Sequence, residues 1–271
     1  MVDFPIRRVS IIQKHHVFIV FLEGSTMGFY KKMIVMNLGQ FLYALGITMT
    51  INANQGLSPW TVFHQGVGLK LGMTIGQATI LVGFIIMAVN FLFKEKIGWS
   101  TLANMAFVGL YIDFLMFNHL VPIFNSVYLS YAMMFLGMFL VGLSTAIYVG
   151  VGWGSGPRDG MVAVIAKRTP LNVKTIRSGI ESIALIIGFL MGGTVGLGTA
   201  VMAITVGFFV NLAFKMAKFD VAKLEHRFID DHIREYLNQP AAVNKAKIHY
   251  NNILLDSLIV NHGSKSLQGA D

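Results

Sequence analysis

The sequence predicts an all-α membrane protein of about six transmembrane helices, built as two inverted three-helix repeats that each carry a short amphipathic or re-entrant helix. Three observations predict it. The 271-residue chain is 55% hydrophobic and 13% charged, with a mean hydropathy of +0.64, whereas an ordinary soluble domain is about 25% charged. Six apolar stretches approach the roughly 20 residues of helix that cross about 30 Å of hydrocarbon. The chain also superposes on itself without a gap when shifted by 98 residues, 39–114 onto 137–212.

Taken in order, the apolar stretches are 33–53, 73–93, 99–120, 126–150, 175–191 and 197–216, the fifth being short and charged in its first turn. Two amphipathic segments, 58–71 and 157–167, are too short to cross and fall between the first and second and between the fourth and fifth stretches. Domain boundaries follow: a cytosolic extension at 1–32, a first transmembrane repeat at 33–120, a second at 126–218 and a cytosolic tail at 219–271. Residues 1–26 make a poor signal peptide, because the apolar run after Lys14 is about seven residues long and no small-residue cleavage pattern follows it. Met27, directly before Gly-Phe-Tyr-Lys-Lys, reads as a better start. In the tail, Val221, Leu224, Phe228, Ile229, Ile233 and Leu237 recur at helical spacing, which predicts a short amphipathic helix.

Orientation is read from Lys and Arg in the short loops, which are enriched on the cytoplasmic side. Lys31, Lys32, Lys94, Lys96, Arg158, Lys167, Arg168, Lys174, Lys215 and Lys218 fall on one set of loops, and Lys70 alone on the other. Both termini are therefore expected in the cytoplasm, with the protein multi-pass in a cytoplasmic membrane. The basic excess of 21 over 13 is accounted for by these loops, so no nucleic-acid partner is expected. With no Cys, disulfides, thiolate metal sites and Cys nucleophiles are excluded.

The register of the self-match distinguishes it from shared composition. Gly56 and Pro59 meet Gly154 and Pro157, the two short amphipathic segments coincide, and Gly98, Thr101, Val108 and Gly109 meet Gly196, Thr199, Val206 and Gly207. Three crossings per half bring the second half in from the opposite face, the plan of many secondary transporters. The two turns, Gly56 to Trp60 with Pro59 and Gly154 to Asp159 with Gly156 and Pro157, would then lie on opposite faces, the first outside and the second inside.

Around the second turn, Ser155 offers a cap, Pro157 suits the first helical position and Asp159 suits the positive end of the helix dipole. Free N–H groups beside Arg158 make an anion site, or else a well-capped helix whose Arg faces headgroups. Arg177 and Glu181 share a helical face; at that depth Glu181 needs a partner, for which Arg177 and Arg158 are the candidates, in a structural ion pair or a substrate path. Asp113 and its repeat equivalent Asn211 mark either an interior path or a helix-bridging hydrogen bond. His64, Asn52 and Asn54 lie near the outer mouth, where a lone His beside a turn reads as interfacial. No zinc-protease helix, acidic metal cluster, serine-nucleophile elbow or nucleotide-binding glycine fingerprint occurs, so neither enzyme activity nor a metal or cofactor is expected.

The run Gly156-Pro157-Arg158-Asp159-Gly160, the following Lys167-Arg168-Thr169, the pair Arg177 and Glu181, the segment Gly192 to Thr199, and Pro59-Trp60 together resemble the YczE-like branch of the YczE/YyaS/YitT group of bacterial integral membrane proteins. The resemblance covers roughly residues 27 to 216, with Pro170 standing where that group has a Gly. It implies a bacterial cytoplasmic membrane protein of transporter type without an assigned substrate. The leading expectation is a small secondary transporter or exporter, with the bilayer, a second copy of the chain and a small-molecule or anionic substrate as partners. The alternative is a non-transporting membrane factor that regulates an envelope or biosynthetic pathway through a protein partner.

Overall fold

The structure is a computed structural model that describes residues 28–216 and 226–238. The expectations for residues 1–26, for the Met27 start and for most of the tail lie outside the described residues. Every regular element among them is an α-helix: α1 (Phe29–Asn52), α2 (Pro59–Leu71), α3 (Ile75–Leu92), α4 (Trp99–Phe117), α5 (Val127–Gly150), α6 (Pro157–Ala166), α7 (Val173–Leu190), α8 (Leu197–Met216) and α9 (Ile229–Asn238). The first eight belong to one compact unit; α9 belongs to a second, in which Ile229, Ile233 and Leu237 share one helical face. Of the expected tail helix the structure describes Ile229–Asn238, and 221–225 lie outside the described residues.

Local sequence sets the helix starts. Ser58 caps α2 by accepting from Thr61 N, with Pro59 at the first helical position. Thr74 and Gln77 form a reciprocal capping box on α3, and Asn172 accepts from Thr175 N at the head of α7. The expected Ser155 cap on α6 is not made: Gly156 occupies the cap position without a side-chain bond, while the Ser155 carbonyl accepts from Thr101 Oγ1 at 2.6 Å.

Five helices, α1, α3, α4, α5 and α8, are long and apolar enough to cross a membrane. The other long helix of the bundle, α7, has 18 residues but carries Lys174, Arg177 and Glu181 in its first half. The axis of the unit is the α1·α5 pair, which crosses where Gly46 meets Gly137. A Cβ on either glycine would lie 2.7 Å from the other's carbonyl oxygen, so the helices touch backbone to backbone. Close approach of this kind is the main source of helix association where lipid supplies no hydrophobic drive.

Around that axis α4 packs on α1 through Ala44, Val108, Ile112 and Leu115, and α8 packs on α5 through Ala146 and Ala213. The short helices fill the flanks, α2 against α3 and α7, and α6 against α3, α4 and α7. Large apolar side chains such as Phe84, Phe91, Ile186, Ile204 and Phe208 point outward, as suits a lipid-facing surface.

Candidate functional site

Each short helix follows a glycine turn that docks on a long helix of the other half. Gly56 and Gly154 both have positive φ, +110° and +94°, a region open to glycine at no steric cost. Behind the first, the Gln55 carbonyl accepts from Gly198 N at 2.7 Å; behind the second, the Trp153 carbonyl accepts from Ser100 N at 3.0 Å. The long helices are cut back to match. A Cβ on Gly196 would lie 2.5 Å from Gln55 O, and one on Gly98 would lie 2.0 Å from Trp153 O. Thr199 and Thr101 then close the glycine N–H groups of their own helix starts, Gly196 N donating to Thr199 Oγ1 at 3.1 Å and Gly98 N to Thr101 Oγ1 at 3.3 Å.

These turns fix where α2 and α6 begin, and Arg158 joins the two helices. Its Cζ sits 4.4 Å from the centre of the Trp60 ring, and its Nη2 lies 3.3 Å from His64 Nε2. His64 is buried at 4% exposure. Its Nδ1 is 2.9 Å from Thr79 Oγ1, and that hydroxyl donates to the Ile75 carbonyl at 2.8 Å. The Thr79 proton is thereby committed, so the hydroxyl accepts from His64 Nδ1–H. This fixes the neutral tautomer whose Nε2 lone pair faces Arg158. No carboxylate among the described residues lies within ion-pair distance of the Arg158 guanidinium.

Beside it, Asp159 Oδ1 accepts from Arg177 Nη2 at 2.5 Å, with the two side chains 36% and 51% exposed. The expected Arg177 and Glu181 pair is therefore not formed. Arg177 is taken by Asp159 from a different helix, and Glu181, half-buried, lies in the field of Arg177, Arg158 and Asp159 without a hydrogen bond or ion pair to any described residue.

A cavity of about 200 Å³ adjoins the second turn, lined by residues that include Asn90, Glu95, Ser155, Asp159, Gly160 and His226. Asn90 Nδ2 donates to the Pro157 carbonyl at 2.8 Å, which leaves the buried Asn90 Oδ1 as an acceptor without a donor among the described residues. Glu95 is held by Lys167 at 2.6 Å. His226 Nδ1 accepts from Gly154 N at 3.3 Å, and burial lowers its pKa, favouring the neutral ring that this bond needs.

The remaining expected site residues lie elsewhere. Asp113 Oδ2 accepts from Thr74 Oγ1 at 2.6 Å and Oδ1 from Gly76 N at 3.0 Å, so this carboxylate ties the head of α3 to α4. Asn211 is exposed on α8. Pro59, Gly154, Gly156 and Pro157 shape the turns, and Trp60 contributes its ring face to Arg158. Sequence reasoning took His64 as interfacial, whereas it is buried, and did not single out Thr79. The available signal was the four-residue spacing of Trp60 and His64, which puts both on one face of α2.

Residues 30–215 match a family of unknown function (DUF6198). The chain is 35% identical over 179 residues to the uncharacterized membrane protein YczE of Bacillus subtilis, covering 65% of this chain and 81% of the relative. It is 29% identical over 191 residues to an uncharacterized protein of Haemophilus influenzae, covering 69% and 87%, and 30% identical over 177 residues to the uncharacterized protein YyaS of B. subtilis, covering 62% and 85%. No solved structure matches the chain.

Proposed function

The chain belongs to the DUF6198 family of unknown function, and from that premise we propose that it is a small secondary transporter of the bacterial cytoplasmic membrane, with both termini in the cytoplasm. On this reading α7 is the sixth crossing and the two halves are inverted repeats that expose a shared site to alternate faces. Three matched features support the repeat. The Gln55·Gly198 and Trp153·Ser100 bonds occupy equivalent positions 98 residues apart, as do the Gly196·Thr199 and Gly98·Thr101 bonds. Gly188 takes the Val62 to Phe63 backbone where, in the other half, Gly160 meets Asn90.

The single observation that carries the functional reading is the Arg158 bridge. A guanidinium from the short helix of one half ends on Trp60 and His64 in the short helix of the other, with no carboxylate of the described residues on it. An ionisable group at membrane depth costs several kcal/mol unless it faces an interior path or a partner, and the meeting point of the two short helices is where such transporters bind substrate. Asp159, Arg177 and Glu181 line the approach from the α6 side.

Comparing metabolites in cells lacking and overproducing the protein would identify a substrate, and counterflow into proteoliposomes would test it. Wild-type protein should exchange the labelled compound and Arg158→Gln should not. Unchanged metabolites together with no exchange by the wild type would contradict transport.

A further inference from the structure

The bond between Arg158 and His64 exists in one protonation state only. Thr79 holds the His64 Nδ1 proton, so Nε2 must be an unprotonated acceptor for Arg158 Nη2 to donate to it. A proton on Nε2 and the present position of Arg158 are mutually exclusive, since two donors and two positive charges would then face each other. The reverse also holds. If Arg158 turns to another acceptor, the buried Nε2 lone pair is left unpartnered, which is unfavourable, unless a proton arrives.

Among the described residues His64 meets no other charge at close range. Of the elements packed against α2, α3 offers the neutral Thr79, and α7 contacts it through Gly188, with Lys174, Arg177 and Glu181 on the earlier turns of that helix; Arg158 reaches it from α6. The planar guanidinium suits a bidentate carboxylate, and Trp60 with Phe63 supplies an aromatic wall for an organic remainder.

We propose that His64 and Arg158 form a proton-linked site for a small organic carboxylate, the anion entering on Arg158 and one proton from solvent entering on His64 Nε2. The Arg158 to His64 hydrogen bond breaks, Arg158 donates to the carboxylate, and the new Nε2–H donates to it as well. This deepens the transport reading and rests on it for the use of the site, making the loaded step electroneutral. Binding itself can be measured without transport.

The test is calorimetric titration of the full chain in lipid nanodiscs with sodium acetate, sodium benzoate and sodium phosphate. Each is run in two buffers of different ionisation enthalpy, from about pH 6 to about pH 8. Expected are saturable binding of a carboxylate, uptake of close to one proton per anion, and an affinity that weakens up to about tenfold per pH unit as pH rises. Arg158→Gln and His64→Gln should each weaken binding at least about tenfold. Thr79→Val keeps both liganding groups, releases the tautomer and should shift the pH dependence, which keeps the test decisive if the Arg158 variant does not fold. Carboxylate binding without proton uptake, binding of phosphate alone, or no saturable binding of either carboxylate would each overturn the proposal. Proton-linked binding without any flux in proteoliposomes would leave it standing and remove the transport reading instead.

Discussion

Asp113 separates a structural carboxylate from a working one. It accepts one hydrogen bond from Thr74 Oγ1 and one from Gly76 N. A Cβ on Gly76 would sit 2.2 Å from the Gly109 carbonyl, so the two helices are in backbone contact there and Gly76 is buried between them. Hydrogen bonds to a charged acceptor are worth about 1.5–3 kcal/mol each, and leaving one donor buried adds to the loss. Asp113→Ala should therefore cost roughly 3 kcal/mol, a fall of roughly 6–12 °C in the melting midpoint for a fold of this size. Asp113→Asn retains an oxygen for Gly76 N and turns its amide to the Thr74 hydroxyl, so it should cost about 1 kcal/mol, roughly 2–4 °C. The assay is heat-induced loss of the monodisperse peak in detergent. An Asp113→Ala protein that melts with the wild type would refute the tie, and an Asp113→Asn protein that stays folded but loses substrate exchange would place Asp113 in the path after all.

Other perturbations give distinct readouts. The Asp159 and Arg177 pair is partly exposed, where such pairs contribute about 0–1 kcal/mol; Arg177→Gln should leave melting within about 3 °C of wild type, and a larger fall would mean the pair is structurally essential. Gly98→Ala and Gly196→Ala would each drive a methyl into a backbone carbonyl, so both should lower the folded yield on size-exclusion chromatography, and normal yield from either would show that the docked turns are not as close as described. His226 has a lowered pKa from burial, so the unfolded chain takes up its proton first as pH falls. Stability should be unaffected above the ordinary His range and decline from about pH 6.5 downward until the folded pKa is passed. His226→Gln should flatten that decline between about pH 6.5 and about pH 5.5, and an unchanged slope would deny the effect to His226.

Much of the fold was legible because lipid imposes a length. The apolar windows 73–93 and 197–216 reappear as α3 and α8 within two residues at each end, as expected when every backbone group must be paired inside its own helix. Both short helices were legible from Pro59 and Pro157, each of which occupies a first helical position.

The site was less legible, because same-helix spacing says nothing of neighbours from other helices. Arg177 and Glu181 are four residues apart, yet Asp159 of α6 takes Arg177 first. The depth of Asp113 left an interior path and a helix-bridging hydrogen bond both open, and it is its partners Thr74 and Gly76, at the head of a different helix, that make the bridge. His64 beside a turn reads as interfacial, and it is the approach of Thr79 and Arg158 that makes it a buried acceptor.

The account turns on the two halves being inverted, and the natural absence of Cys allows a direct measurement of that. Lys70 and Arg168 occupy equivalent places in the two halves and are both exposed. Single Cys substitutions at these positions should be treated with a membrane-impermeant maleimide, first in intact cells and then after permeabilisation. The account predicts that position 70 is labelled from outside and position 168 only once the membrane is opened. Labelling of both positions in intact cells, or of neither, would put the two short helices on the same side and contradict it.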